Sequence, residues 1–255
     1  MTSSEEILIR CEDVGVDFHG RSILSGINIQ VGGADRVALL GPSGCGKSTL
    51  LNVFSGLLIP GKGRVQRSIS ARDMSFVFQE PSLLPWKNVE DNVQVLLSLM
   101  PEKAQSTDSQ QRMRDILTQV GLWERRKSFP DELSGGMKMR AAIARALILS
   151  PRLLLLDEPF SALDDITREK LQDDLLHLHA INRVSYVLVT HNMEEAALLA
   201  DRIVVFSSLG AIIAELKVSD FFSGERVRRD SQGVAAVRTS IRALWQKSGE
   251  ESLNA

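Results

Sequence analysis

The sequence predicts an α/β fold with a mixed, largely parallel sheet at its core, an antiparallel β-region before that sheet, and an inserted helical subdomain. Residues 7–31 indicate the antiparallel region, because apolar and polar residues alternate there on either side of a polar turn. Short apolar runs at 36–40, 153–157 and 186–190 indicate the parallel strands, which are apolar throughout when both faces are covered. Apolar residues at helical spacing between about 80 and 150 indicate the insertion.

The composition of the 255 residues excludes several classes of protein. A formal net charge of −2 provides no general basic field, so we expect no nucleic acid among the partners. Cys11 and Cys45 lack CxxC or Cys/His spacing, which argues against a disulfide scaffold or a zinc site and suits a reducing cytoplasm. The first residues are acidic where a signal peptide needs a basic segment, and no run approaches the roughly 20 apolar residues that span a bilayer. Any membrane role is therefore expected to be peripheral.

A glycine-rich segment at 41–48 fits the pattern GxxxxGK[ST] and stands between a predicted strand and a predicted helix, as that motif requires. Such a loop turns backbone N–H groups toward phosphate, and the helix N-terminus adds positive charge. We expect Lys47 to reach the β- and γ-phosphates of a nucleoside triphosphate and Ser48 to hold Mg²⁺. The candidate nucleotide-binding residues here are Gly41, Pro42, Ser43, Gly44, Cys45, Gly46, Lys47, Ser48 and Thr49. By itself the loop leaves kinases, GTPases and motors open.

Two acidic residues, Asp157 and Glu158, end the apolar run that begins at 153. Parallel sheets present their ligands at the carboxyl ends of strands, so both side chains are expected to face the phosphates. Asp157 would hold Mg²⁺, and Glu158 would act as the general base toward water. A solvated turn is the alternative, which the apolar strand and the upstream phosphate loop disfavour.

A second glycine-rich segment, Ser134-Gly135-Gly136, begins a predicted helix about twenty residues before the carboxylate strand. Its serine and the following backbone amides can donate hydrogen bonds to a γ-phosphate. With Leu133 and Met137 at its ends, this segment resembles the signature of the ABC ATPases. The chain also matches the order of motifs in that family over about residues 7–217: phosphate loop, glutamine, signature, carboxylate pair, Ser-Ala-Leu-Asp and histidine.

The resemblance implies a P-loop NTPase fold with a RecA-like core, ATP and Mg²⁺ as cofactors, and a dimer. Since one chain's phosphate cannot reach its own signature in that fold, two copies would close head to tail over two ATP molecules. Each motif occurs once, so the chain is expected to be a single ATPase domain over 1–217, with a short helical tail over 218–255.

Four more residues receive roles from the resemblance. Gln79 would sense Mg²⁺ and the attacking water, and Asp164 would communicate across the dimer. His191 would contact the γ-phosphate, because an imidazole can donate a hydrogen bond to it and orient water. Phe18 stands where the family stacks an aromatic ring on adenine, although a phenylalanine at a strand end is equally often part of the core.

The signature departs from its commonest form, because Met137 and Met139 replace glutamines. Phosphate binding by the serine and glycines should persist. The departure puts in question the polar contacts that those glutamines make near the nucleotide, and with them the turnover rate.

Residues 80–93, which contain Leu-Leu-Pro-Trp, resemble importer ATPases of the nitrate, sulfonate, taurine and bicarbonate group. This implies peripheral attachment at the cytoplasmic face of the inner membrane, transmembrane permease subunits, and a solute-binding protein. Leu84, Pro85 and Trp86 would line the groove for a permease helix; a buried proline-tryptophan corner is the alternative. An exporter or lipid-transport ATPase, a non-transport ABC ATPase, and a small-molecule kinase are the rival functions.

Overall fold

A computed structural model describes residues 6–99, 109–222 and 231–248. The described strands are β1 (Ile7–Phe18), β2 (Arg21–Gly32), β3 (Arg36–Leu40), β4 (Lys62–Arg67), β5 (Met74–Val77), β6 (Leu153–Asp157), β7 (Ser185–Thr190), β8 (Arg202–Phe206) and β9 (Ile212–Lys217). The described helices are α1 (Lys47–Ser55), α2 (Val89–Ser98), α3 (Ser109–Gln119), α4 (Gly135–Leu147), α5 (Asp165–Asn182), α6 (Met193–Leu199) and α7 (Gln232–Lys247). Among these, none combines the length and apolar character of a membrane-crossing helix.

The chain divides into two compact units. The first takes in the chain up to Ser70 and from Ser185 onward, and the second runs from Ala71 to Val184. The phosphate loop and His191 therefore belong to the first unit, whereas the carboxylate pair and the signature belong to the second.

An antiparallel sheet opens the first unit, with the strand order β2-β1-β4. Phe18 pairs with Arg21 across a two-residue turn, in which His19 has φ 49° and Gly20 has φ 80°. Left-handed backbone at both central positions is the requirement of a type I′ turn, the connection that best matches the twist of paired strands. The predicted antiparallel region is confirmed.

The second sheet of the first unit contains β7, β3, β8 and β9 in that order. The first three strands are parallel, and β9 runs antiparallel to β8. Residues 37–40 of β3 are fully buried, because this strand has a neighbour on each side and is covered on both faces. The predicted mixed sheet is confirmed, and its central strand leads directly into the phosphate loop.

The second unit joins a parallel pair of strands, β5 and β6, to the helices α2 to α5. Side chains cap three of these helices: Asn88 accepts a hydrogen bond from the Asp91 N–H, Ser134 from that of Met137, and Asp164 from that of Thr167. Such caps satisfy backbone donors that a helix cannot satisfy itself. Two of the three capping residues are also predicted nucleotide contacts.

Candidate functional site

The phosphate loop connects β3 to α1 in the first unit. Its last glycine, Gly46, has a backbone conformation and surroundings that leave no room for a side chain. Gly46 caps α1 with φ 99°, a left-handed conformation that residues with a Cβ rarely adopt. A Cβ at this position would also lie 2.7 Å from Leu24 Cδ2 and 2.8 Å from the Ile23 carbonyl oxygen. The loop is thus packed against β2 as closely as its backbone permits, and Lys47 starts the helix.

Lys47 turns its side chain into the loop that precedes it. Its side chain is buried, with the residue 4% exposed, and its Nζ donates to the Gly41 and Pro42 carbonyl oxygens at 2.7 Å each. The ammonium group and the N-terminus of α1 place positive charge at the same loop. This arrangement suits the binding of a polyphosphate.

Cys45 lies in the same loop, with its Sγ 3.8 Å from Lys47 Nζ. Burial raises the pKa of the Cys45 thiol above its ordinary value, and the neighbouring ammonium offsets only part of that rise. The residue is therefore a protonated thiol at neutral pH. It contributes to the loop through its backbone and its packing and does not act as a thiolate.

The strand register brings His191 to the same edge of the sheet as the phosphate loop. Leu40, the residue before the loop, pairs with Thr190, the residue before His191. Carboxyl ends of adjacent parallel strands share one edge, where α/β sheets bind their ligands. The sheet of the first unit thus joins two motifs that are about 150 residues apart in the sequence.

Hydrogen bonds on both sides of His191 hold its loop. Thr190 Oγ1 donates to Glu195 Oε2 at 2.5 Å and accepts from the Asn192 N–H at 3.0 Å. Asn192 Oδ1 in turn caps α6 by accepting from the Glu194 and Glu195 N–H groups. His191 itself is exposed between these anchors. The buried Glu195 carboxylate is a positioning group that our sequence predictions missed.

Phe18 ends β1, and its side chain is 46% exposed. It is therefore not part of the core, which was the alternative to stacking on adenine. The stacking role itself remains a prediction.

In the second unit, register likewise joins Gln79 to the carboxylate pair. Val77 pairs with Leu156, so that the two chain segments leave the sheet at one edge. Gln79 Nε2 donates to Ser161 Oγ at 3.2 Å, and Ser161 Oγ donates to the Glu158 carbonyl oxygen at 3.0 Å. Ser161 therefore connects the glutamine to the predicted base. Only its place in the Ser-Ala-Leu-Asp segment could have indicated this from the sequence.

The signature segment and the segment around Asp164 meet at one side chain, Thr167. A Cβ on Gly136 would lie 2.1 Å from Thr167 Cγ2, so the helix α4 approaches α5 closely at a glycine. The Thr167 N–H donates to Asp164 Oδ1 at 3.0 Å, and hydrogen bonds from Thr167 hold the pKa of this carboxyl below its ordinary value. Ser134 Oγ accepts from the Met137 N–H, and its own hydroxyl hydrogen can still donate to a phosphate.

Two polar side chains, one half-buried and one fully buried, hold the segment 80–88 in place. Arg145 of α4 donates to the Pro81 and Ser82 carbonyl oxygens at 2.8 Å each. Asn92, which is fully buried, accepts from the Leu84 N–H at 2.7 Å and donates to the Leu84 carbonyl oxygen at 3.1 Å. Burial lowers the pKa of Arg145, and hydrogen bonds to two carbonyl groups compensate for the desolvation of its charge.

Trp86 protrudes from this anchored segment. Trp86 is 71% exposed, so the alternative prediction of a buried proline-tryptophan corner is wrong. Leu84 is half-buried and Pro85 is exposed. An exposed tryptophan on a rigidly held loop suits contact with a partner surface.

A family model described as ABC transporter matches residues 24–161. The aliphatic sulfonates import ATP-binding protein SsuB 1 of Pseudomonas syringae pv. syringae is 42% identical over 233 residues, which is 90% of this chain and 91% of the relative. The nitrate import ATP-binding protein NrtD of Synechococcus elongatus is 42% identical over 71% of this chain and 68% of its own. Among solved structures, a dimeric ATP-binding cassette in a post-hydrolysis state with ADP and phosphate has a TM-score of 0.72 and 30% identity, covering 82% of this chain and 98% of that one.

Proposed function

The chain belongs to the ABC transporter family as an ATP-binding, ATP-hydrolysing subunit, and from that premise we propose that it drives uptake of a small solute through a separate permease. The observation that carries the direction of transport is the 42% identity to a sulfonate import subunit over 90% of the chain. A nitrate import subunit at the same identity supports an oxyanion or sulfonate as the solute class.

The residues of this chain have the chemistry that ATP hydrolysis needs. Lys47 and the loop amides bind the β- and γ-phosphates, while Glu158 accepts the proton of the attacking water. His191 donates a hydrogen bond to the γ-phosphate, and Gln79 orients the water. Phe18 stacks on the adenine ring.

Mg²⁺ fits the oxygen donors that the motifs provide. Ser48 offers a hydroxyl, Asp157 a carboxylate and Gln79 an amide oxygen, and all three are the hard ligands that this ion prefers. When bound, Mg²⁺ neutralises charge on the phosphate oxygens.

The active site is completed by a second copy of the chain, which we propose to be a homodimer partner. Its Ser134, Gly135 and Gly136 supply the hydroxyl and helix amides that close over the γ-phosphate. Its Asp164, ionised at neutral pH, communicates between the two sites. Since Asp164 and Gly136 both contact Thr167, the two segments would move together.

The permease is proposed to bind the loop that bears Trp86, with the ATPase dimer attached peripherally at the cytoplasmic face of the inner membrane. A solute-binding protein on the opposite side would deliver the solute. No nucleic acid takes part.

Reconstitution tests this proposal. The chain is purified from its native membranes with the subunits that accompany it and is placed in lipid vesicles with the solute-binding protein encoded beside it. We expect ATP to drive taurine, an alkanesulfonate or nitrate from the side of the membrane that holds the solute-binding protein to the side that holds the ATPase. Glu158→Gln should abolish this movement. Movement of solute in the reverse direction, or of lipid instead, would assign the chain to an exporter.

A further inference from the structure

The C-terminal helix α7 shares a buried apolar cluster with the strand that leads into the phosphate loop. Val237 and Ile241 of α7 belong to one buried apolar cluster with Ala38 and Leu40 of β3. Leu40 is the residue directly before the loop. The helix is thus part of the core of the first unit, close in space to a motif nearly 200 residues before it in the sequence.

The same helix also makes a hydrogen bond to Phe206, a residue that contacts the phosphate loop. Trp245 is 4% exposed, and its Nε1–H donates to the carbonyl oxygen of Phe206 at 3.0 Å in a buried environment. Phe206 ends β8, the parallel neighbour of β3. An indole has a single donor and no acceptor, so this bond is the one polar interaction that its ring nitrogen can make.

Phe206 supports the first glycine of the loop. A Cβ on Gly41 would lie 2.8 Å from Phe206 Cβ and 3.3 Å from the Phe206 carbonyl oxygen, so the backbone of Gly41 rests on this residue. The Gly41 carbonyl oxygen in turn accepts from Lys47 Nζ at 2.7 Å. A continuous series of contacts therefore runs from Trp245 through Phe206 and Gly41 to the phosphate-binding lysine.

The same helix also packs against α6, the helix that follows the predicted γ-phosphate contact His191. Ala196 and Ala197 of α6 share the cluster with α7, and Arg238 of α7 pairs with Glu194 of α6 at 3.3 Å. Helix α6 follows His191 directly. One helix thus shares a buried cluster with the elements that adjoin both motifs.

We propose that Trp245 is a positioning residue for ATP binding: its hydrogen bond to Phe206 fixes the surface on which Gly41 and the phosphate loop rest. A loop held in its binding conformation loses less conformational freedom when ATP binds, and affinity rises for that reason. The proposal depends on ATP binding by this chain and not on the direction of transport.

The test measures the dissociation constant of ATP in the presence of Mg²⁺, by calorimetry on the full chain, together with KM and kcat for hydrolysis. Trp245→Phe keeps an aromatic ring and removes the donor. We expect the dissociation constant and KM to rise about three- to tenfold, while kcat stays within about twofold, because no group acting in the transition state has changed. Replacing the indole by benzothiophene, through incorporation of β-(3-benzothienyl)alanine, removes only the N–H and should have the same effect.

Two variants separate this role from general loosening of the fold. Ile241→Val removes one methylene from the same helix and cluster without touching the Phe206 carbonyl, and it should lower Tm with the ATP dissociation constant unchanged. Trp123→Phe makes the same substitution in the second unit and should leave the dissociation constant unchanged. The proposal is overturned if both Trp245 replacements bind ATP within twofold of the wild type, or if Ile241→Val weakens ATP binding as much as they do.

Discussion

At the scale of single residues, Glu158 is the predicted catalytic residue whose backbone is left-handed. Its φ of 43° costs a non-glycine residue about 1–3 kcal/mol, and such residues concentrate at active sites. Hydrogen bonds from the N–H and Oγ of Ser161 to the Glu158 carbonyl oxygen hold this conformation at 3.2 Å and 3.0 Å. The left-handed residue thus comes immediately after Asp157, the last residue of β6.

Glu158→Gln is expected to lower kcat about 10²- to 10⁴-fold, the usual contribution of a general base, because the amide cannot accept the proton of water. The amide has nearly the same shape, so the dissociation constant of ATP should change little. Steady-state hydrolysis and calorimetry measure the two quantities. Glu124→Gln, at an exposed glutamate of the second unit, is the matched control. Full ATPase activity in Glu158→Gln would show that another group is the base.

Gly136→Ala should destabilise the chain by about 1–3 kcal/mol through overpacking, because the new methyl would lie 2.1 Å from Thr167 Cγ2. Thr167→Ser removes that methyl group and keeps the hydroxyl and the N–H that bind Asp164. The double variant should therefore regain most of the free energy of unfolding, as measured by urea denaturation with Thr167→Ser alone as the reference. An equal loss in the single and double variants would contradict this steric explanation. Any ATPase defect that persists in the stable double variant belongs to the nucleotide contact.

At the scale of elements, helix α4 performs two tasks at its two ends. Its N-terminus carries the signature serine, and Arg145 in its last turn binds the carbonyl groups of Pro81 and Ser82. A rigid helix of 13 residues therefore connects the predicted γ-phosphate contact to the loop that presents Trp86. We expect a shift of the signature to be transmitted to that loop.

Arg145→Lys should loosen residues 81–83 while leaving 84–88 protected, because a single ammonium group cannot match the planar fork that binds two carbonyls, and Asn92 anchors the rest. Hydrogen exchange with peptide-level mass spectrometry measures this difference. Arg125→Lys, at an exposed arginine, is the control. Unchanged exchange at 81–83 would mean that Arg145 does not hold the loop.

At the scale of the whole molecule, we propose that one chain supplies the phosphate loop of each site and a second chain supplies its signature. The solved cassette that resembles this chain is itself a dimer. A head-to-tail arrangement predicts that defects in the two motifs can complement each other between chains.

Lys47→Ala removes the phosphate-binding ammonium, and Ser134→Arg blocks the signature, so each homodimer should be inactive. In a mixed dimer both defects fall in one composite site, and the other site combines an intact loop with an intact signature. After random pairing of equal amounts, half of the dimers are mixed and each has one intact site of two, so about a quarter of the wild-type ATPase activity should return. Mixtures of two Lys47→Ala preparations serve as the control. Absence of any recovery, with dimers verified by ultracentrifugation, would contradict the two-chain site.

The sequence by itself determined the parts of this protein that depend on neighbouring residues. The glycine pattern at 41–48, the two acids at the end of β6 and the serine that caps α4 are local signals, since a strand end, a tight loop and a helix start are each specified within a few residues. The strand patterns predicted the two kinds of sheet for the same reason.

Only the tertiary structure decided which distant residues meet. Trp245 and Phe206 are separated by 39 residues, Arg145 and Ser82 by 63, and no local pattern marks either pair. The exposure of Trp86 and Phe18 likewise depends on what packs beside them, which an apolar residue type does not reveal. Motif residues are constrained by the ligand they bind, whereas the residues that position them are selected by packing, and packing exists only in the folded chain.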